Sequence, residues 1–160
     1  MRIAVHAVGR MKAGPEQDLA ARYFDRFSKA GGSLGFDFSG VVEIAESRAS
    51  GVEERRRDEA AALTRHLQPG AVLVLLDETG RNLSSQDFCG RLAAWRDGGA
   101  KALTVAIGGP DGHDRSLKER ADLVLSFGAA TWPHQIVRVM LAEQLYRAAT
   151  ILAGHPYHRG

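Results

Sequence analysis

Ala71-Val-Leu-Val-Leu-Leu76 is an unbroken apolar run, closed by Asp77-Glu-Thr-Gly80. A run this short and this uniform marks a strand buried on both faces, because a strand with one wet face alternates in polarity. Ala102 to Ile107 has the same character and passes into Gly108-Gly-Pro-Asp-Gly112. Between them Ser84-Ser-Gln-Asp87 offers a helix cap before Phe88, Leu92 and Trp95, which recur at helical spacing. Two buried strands joined through a helix are the signature of a parallel sheet.

Working outward, the same alternation holds along the chain. Ile3 to Val8 reads as a first strand. Pro15 to Ser28 reads as a helix, with Pro in its first turn and Leu19, Tyr23 and Phe27 as its apolar stripe. Phe36 to Ile44 is a strand, and Val52 to Leu67 is a charged surface helix stopped by Pro69-Gly70. A short helix from Ser116 to Ala121 leads to a strand at Leu123–Ser126, the loop Phe127 to Trp132 and a long terminal helix. The expected fold is α/β, a mostly parallel sheet flanked by helices, in a single domain covering residues 1–160.

Bulk properties exclude several classes. The 44% hydrophobic and 25% charged content is ordinary for a globular protein. No apolar run approaches the roughly 20 residues that span a bilayer, and the N-terminus reads as a strand and not as a signal peptide. A lone cysteine, Cys89, excludes an internal disulfide and fits a reducing cytoplasm. The net charge of +2 is too small to argue for nucleic acid by itself. However, the excess of cations over acids from His113 to Gly160 equals the whole net charge, and four of the six histidines lie there too.

Ligands of open α/β sheets bind beyond the carboxyl ends of the strands. Three such ends stand out: Leu76-Asp77, Ile107-Gly108-Gly109 and Ser126 to Trp132. Gly108 and Gly109 allow a flat ring to approach main-chain amides, although a tight strand-to-helix turn explains them as well. There is neither a GxGxxG nor a GxxxxGK[ST] motif, so dinucleotide and P-loop readings lack their phosphate loops. Asp77 fits an acid-base group or metal ligand about as well as a turn cap. Ser84 and Ser85 read as caps, and Cys89 as a packed small hydrophobe. The histidines lack metal-ligand spacing, so no metal is expected.

The terminal helix carries Val137, Leu141, Leu145, Ala148 and Leu152 as a packed stripe. His134 and Arg138 share a face of its first turn, and Glu143 and Arg147 form an i, i+4 pair. His155-Pro-Tyr-His-Arg-Gly160 then ends the chain with hydrogen-bonding aromatics and a cation, where termini usually fray into indifferent polar residues.

Taken together, several motifs closely resemble the SPOUT-class family of ribosomal RNA large-subunit methyltransferases H. They are Val74-Leu-Leu-Asp77-Glu-Thr-Gly80 with Leu83-Ser-Ser85 and Phe88; Ile107-Gly-Gly-Pro-Asp-Gly112; Thr131-Trp-Pro-His134 with Arg138, Leu141, Glu143-Gln144 and Tyr146-Arg-Ala148; and Tyr157-His-Arg159. The resemblance runs from Val8-Gly9 to the last residue and is least distinctive from Gly31 to Glu59. It implies an α/β trefoil knot in the C-terminal half, a homodimer, and S-adenosyl-L-methionine as cofactor. It also implies methylation of N3 of pseudouridine 1915 in helix 69 of 23S rRNA, within the 70S ribosome. Carried over by position, Leu76, Gly108, Phe127, Gly128, Ala129, Ala130, Thr131 and Trp132 would hold the cofactor. Arg138, Tyr157, His158 and Arg159 would organise the substrate, and the base is not singled out. Trp132 stands where an aliphatic residue is common, and Arg10 where lysine is common.

The residues agree with that chemistry. A neutral purine can be read by backbone groups in glycine-rich loops, which suits so plain a pocket. Methyl transfer is an in-line displacement dominated by alignment, and the imide nitrogen must lose a proton. Three other readings are weighed beside it: a SPOUT enzyme acting on tRNA or another rRNA site, a non-catalytic ribosome-associated factor, and a flavodoxin-like or Rossmann domain. The tail argues against a pure binding module, and the missing phosphate loops argue against the last.

Overall fold

The computed structural model describes residues 1–158. The elements run β1 (Arg2–Val8), α1 (Pro15–Gly31), β2 (Asp37–Ile44), α2 (Val52–His66), β3 (Val72–Asn82), α3 (Ser85–Asp97), β4 (Ala102–Ile107), α4 (Arg115–Arg120), β5 (Leu123–Ser126) and α5 (His134–Leu152). The strands form one sheet in the order β2-β1-β4-β3-β5, and every neighbouring pair is parallel.

The two uniform runs are central strands. Every residue of β4 is buried, and so are Leu73, Val74, Leu75 and Leu76 of β3. Side chains alternate across the pleat, so one strand serves two cores. Val74 and Leu76 face α1, α3 and α5 in the larger cluster, around Phe27, Leu92, Leu141 and Leu145. Leu73 and Leu75 face the smaller one, with Leu63 of α2 and Leu117 of α4. Helices therefore cover both faces, as the sequence requires.

Two details depart from expectation. In α1 the buried stripe is Ala20, Phe24, Phe27 and Gly31, whereas Leu19 is 38% exposed and Tyr23 half-buried. Either set satisfies a helical period; packing of Phe24 flat on Phe38, ring centres 5.0 Å apart, selects the second. The other departure is β3, which does not stop at Leu76. Leu76 and Arg81 both align with Leu125 of β5, so residues 77–80 bulge outward before the strand resumes. Gly80 lies so close to β5 that a Cβ would sit 2.7 Å from the carbonyl carbon of Leu125 and 2.8 Å from its nitrogen.

Ser84 caps α3 as expected, its Oγ accepting from Asp87 N at 3.0 Å. Ser85 Oγ donates to Gln144 Oε1 at 2.8 Å and ties α3 to α5. Cys89 is buried, and burial pushes its thiol upward, which leaves it inert as a nucleophile.

Candidate cofactor and substrate site

A cleft of about 640 Å³ opens beyond the carboxyl ends of β3, β4 and β5, within the size range of small-molecule sites. Its floor is apolar, from Leu76, Ile107 and Leu125, and its walls are three loops. The first is Asp77-Glu-Thr79 in the β3 bulge, the second Gly108–Gly112 after β4, and the third the segment between β5 and α5. Leu76, Gly108, Phe127, Gly128, Ala130, Thr131 and Trp132 all line it. Ala129 lies within the same loop, and Trp132 forms a lip, 43% exposed.

Each loop is held by named contacts. Ser126 Oγ donates to Gly128 O at 2.9 Å and accepts from Gly128 N at 3.1 Å, and Gly128 has a φ of 117° that favours glycine. Thr131 Oγ1 donates to Glu78 Oε2 at 3.2 Å, linking the third loop to the first. In the second loop Gly112 N donates to Gly109 O at 3.0 Å. Arg55 grips Asp111 with both ends of its fork, at 2.6 and 3.2 Å, while Arg56 Nε donates to Asp111 O at 2.7 Å. Glu59, 6% exposed, fills the space behind Gly109, and burial raises its carboxyl above the usual range.

Beneath the floor His113 is 6% exposed, with Nε2 3.2 Å from Leu76 O. Burial lowers its basicity, against the opposing pull of Asp77. Asp77 turns out to be a fixed anion. Burial pushes it up, but Lys118 Nζ at 2.6 Å and the amide and hydroxyl of Thr79 outweigh that and bring it to about 2. A carboxylate this acidic is a poor base at neutral pH. Its depressed value stabilises the fold above the ordinary carboxylate range, and that contribution is lost as pH falls through the folded value. Replacing Lys118 by Met is expected to open a stability gap that is widest above pH 3.8 and narrows towards pH 2, measured by denaturant unfolding across pH. A gap independent of pH would mean that Lys118 acts through packing.

The whole arrangement is matched along the chain. A family model described as "Predicted SPOUT methyltransferase" matches residues 1–158. The chain belongs to the SPOUT methyltransferase family. A ribosomal RNA large subunit methyltransferase H from Mesorhizobium japonicum is 64% identical over 99% of both chains, and one from Brucella anthropi is 62% identical over the same shares. Among solved structures, the SpoU methyltransferase AviRb from Streptomyces viridochromogenes, in complex with AdoMet, is 15% identical with a TM-score of 0.42. That alignment covers 95% of this chain and 58% of AviRb.

In this SPOUT chain the described substrate-organising candidates, Arg138, Tyr157 and His158, do not line the cleft. Arg138 is 4% exposed and turns towards the end of β1 instead, donating Nη1 to Glu43 Oε1 at 2.5 Å and Nη2 to Gly9 O at 3.1 Å. It lies outside the cleft lining, whereas His134, four residues earlier, is part of it. The tail packs on the middle of α5. Tyr157 Oη donates to Glu143 Oε1 at 3.0 Å and lies 3.3 Å from Tyr23 Oη; its ring lies 4.9 Å from that of Tyr146. Arg147 pairs with Glu143 at 2.6 Å, stacks over Tyr157 and reaches His158 Nδ1 at 3.3 Å. Arg159 lies outside the described residues.

Burial, together with Tyr23 and Glu143, pushes the Tyr157 hydroxyl above the ordinary phenol range, so it acts here as a donor and not as a base. The residues that brace the loops around the cleft and that the sequence does not announce are Glu43, Arg55, Arg56, Glu59 and Lys118. All but Lys118 sit in or beside the segment with the least distinctive sequence, and each is recognisable only by its partner across the fold. Among the described residues no cluster could hold a metal ion, and no helix is long and apolar enough to cross a membrane.

Proposed function

We propose that this protein is a cytoplasmic homodimer that transfers the methyl group of S-adenosyl-L-methionine to N3 of pseudouridine 1915 in 23S rRNA, acting on the 70S ribosome. The observation that carries the reading is the three-loop cleft, whose walls are the positions expected to hold that cofactor, in a chain 64% identical over its length to a ribosomal RNA large subunit methyltransferase H. The cleft fits the cofactor chemically. Its apolar floor suits a purine, and Gly108 lets the second loop pack tightly against the floor, since a Cβ there would press on Gly112 C at 3.2 Å and on the His113 ring at 3.3 Å. The cofactor supplies an electrophilic methyl group on a sulfonium. What the chain supplies is alignment and exclusion of water.

Dimerisation is supported by two observations. Trp132, Ile136 and Met140, spaced four apart beside the cleft, are exposed or half-exposed apolar side chains, a strip that a second copy would cover. The tail of each chain also packs on its own α5, outside the cleft lining. In the proposed dimer the second copy covers that strip with its tail turned to this cleft, so that Tyr157, His158 and Arg159 serve the site across the dimer.

The test is transfer of labelled methyl groups to 70S ribosomes, free 50S subunits and naked 23S rRNA from cells lacking the native enzyme. Label on the helix 69 pseudouridine in 70S ribosomes alone is expected. Label elsewhere, or on none of the three with cofactor still bound, would overturn the assigned target.

A further inference from the structure

The loop between β1 and α1, Gly9-Arg-Met-Lys-Ala-Gly14, presents two exposed cations, Arg10 and Lys12. Its anchorage is unusual for a surface loop. Arg138 donates to Gly9 O at 3.1 Å and to Glu43 Oε1 at 2.5 Å, and the same Glu43 oxygen accepts from Met11 N at 2.9 Å. A guanidinium from α5 and a carboxylate from β2 thus hold the residues on either side of Arg10, while the buried Met11 side chain roots the loop in the core. Burying a guanidinium carries a desolvation cost that a solvated side chain avoids, and Arg138 is buried while its partner Glu43 stays open to water, so its use here points to a loop whose position matters.

The position is next to the cleft. Gly9 has a φ of 88°, and a Cβ on it would lie 2.8 Å from Glu46 Oε1 and 3.8 Å from Cε1 of His134, the cleft-lining residue. Of the acids nearby, Glu43 is engaged by Arg138 and Met11, and Glu46 stands at Gly9. The loop is therefore not a broad basic face but two cations at defined places. In a chain with a net charge of only +2, placement has to do what charge density does elsewhere.

We propose that this loop contacts RNA phosphates at the mouth of the cleft through Arg10 and Lys12, and that Arg138 and Glu43 are its positioning residues. The proposal builds on the rRNA reading above. It gives Arg138 a role at one remove from the substrate, through the loop it holds.

The experiment measures binding of 70S ribosomes across a salt series, with S-adenosylhomocysteine affinity measured separately by calorimetry without RNA. The R10A/K12A variant is expected to bind ribosomes at least tenfold more weakly at low salt. Its slope of log affinity against log salt should be shallower by about 1.4–1.8, the counterion release of two phosphates. S-adenosylhomocysteine affinity should be unchanged. E43Q, which loosens the loop but keeps both cations, is expected to weaken ribosome binding several-fold and to add nothing in the R10A/K12A background.

An unchanged slope in R10A/K12A would overturn the phosphate contact, and additive losses with E43Q would overturn the positioning role. A photo-crosslinker replacing Lys12 should label rRNA; labelling of a ribosomal protein would overturn the choice of RNA as partner. If the wild-type protein binds S-adenosylhomocysteine but no ribosome, the rRNA reading itself fails and takes this proposal with it, an outcome seen before any variant is made.

Discussion

Replacing Gly80 by Ala is expected to destabilise the protein by about 3 kcal/mol, at the upper end of what overpacking costs. The added carbon would lie within 2.8 Å of three backbone atoms of Val124 and Leu125. Backbone cannot rotate aside as the tip of a side chain can. Either β5 shifts away from β3 or the bulge at residues 77–80 opens, and both changes disturb the cleft. The drop in melting temperature should be roughly 6–12 °C, taking 2–4 °C per kcal/mol for a chain of this size. Gly40 is the control. It sits on the edge strand β2 with nothing near its Cβ position, although its φ of 102° brings a separate, conformational cost. Thermal unfolding of both variants checks the argument: a G80A protein as stable as wild type would show that β5 is not held at that distance.

Deleting residues 155–160 is expected to reduce methyl transfer by a factor of about 10² to 10⁴, the range associated with losing proton handling and substrate alignment. Cofactor affinity should change less than about twofold, because no described residue of the tail lines the cleft. The truncated chain keeps the Arg147–Glu143 pair and every element through α5, so it should fold. Tyr157→Phe separates packing from chemistry. It keeps the ring against Tyr146 and Arg147 while removing the hydrogen bonds to Glu143 and Tyr23. Single-turnover transfer and calorimetric cofactor binding, measured on the same preparations, decide the matter; full methylation by the truncated enzyme would remove the tail from the reaction.

Much of the architecture was legible because burial leaves a strong imprint on composition. Two faces to cover made the first half of β3 uniformly apolar and β4 nearly so, and helical spacing made α1 and α5 visible. What periodicity does not carry is phase. Leu19 and Ala20 are adjacent, and only the partner surface decides which of them turns inward. The continuation of β3 through Asp77-Glu-Thr-Gly80 was hidden for a related reason, since turn-forming residues describe a bulge as readily as an end.

At the site, the loop glycines and the residues after β5 were readable because their local backbone requirements are strong. Arg138 shares a helix face with His134 in the sequence, yet only His134 lines the cleft, and the Glu43 partner that turns Arg138 away lies 95 positions away. No local pattern announces such a pair. The clamp of Arg55 on Asp111 was missed for the same reason: a charged helix with no distinctive motif reads as a solvated surface until the loop it grips is seen.

The strand order has a consequence for the nascent chain. β1 lies between β2 and β4, with Arg2 aligned to Ala102, so the first strand made cannot be enclosed until residue 107 has been synthesised. Between the end of β2 at Ile44 and the end of β4 at Ile107 the ribosome adds 63 residues, which takes roughly 3–13 s at 5–20 residues per second. Throughout that interval Ile3, Val5 and Ala7 belong to an open strand edge with no neighbour on one side. A nascent chain in that interval carries β1 half-paired, a natural client for chaperones waiting at the exit tunnel until β4 has emerged.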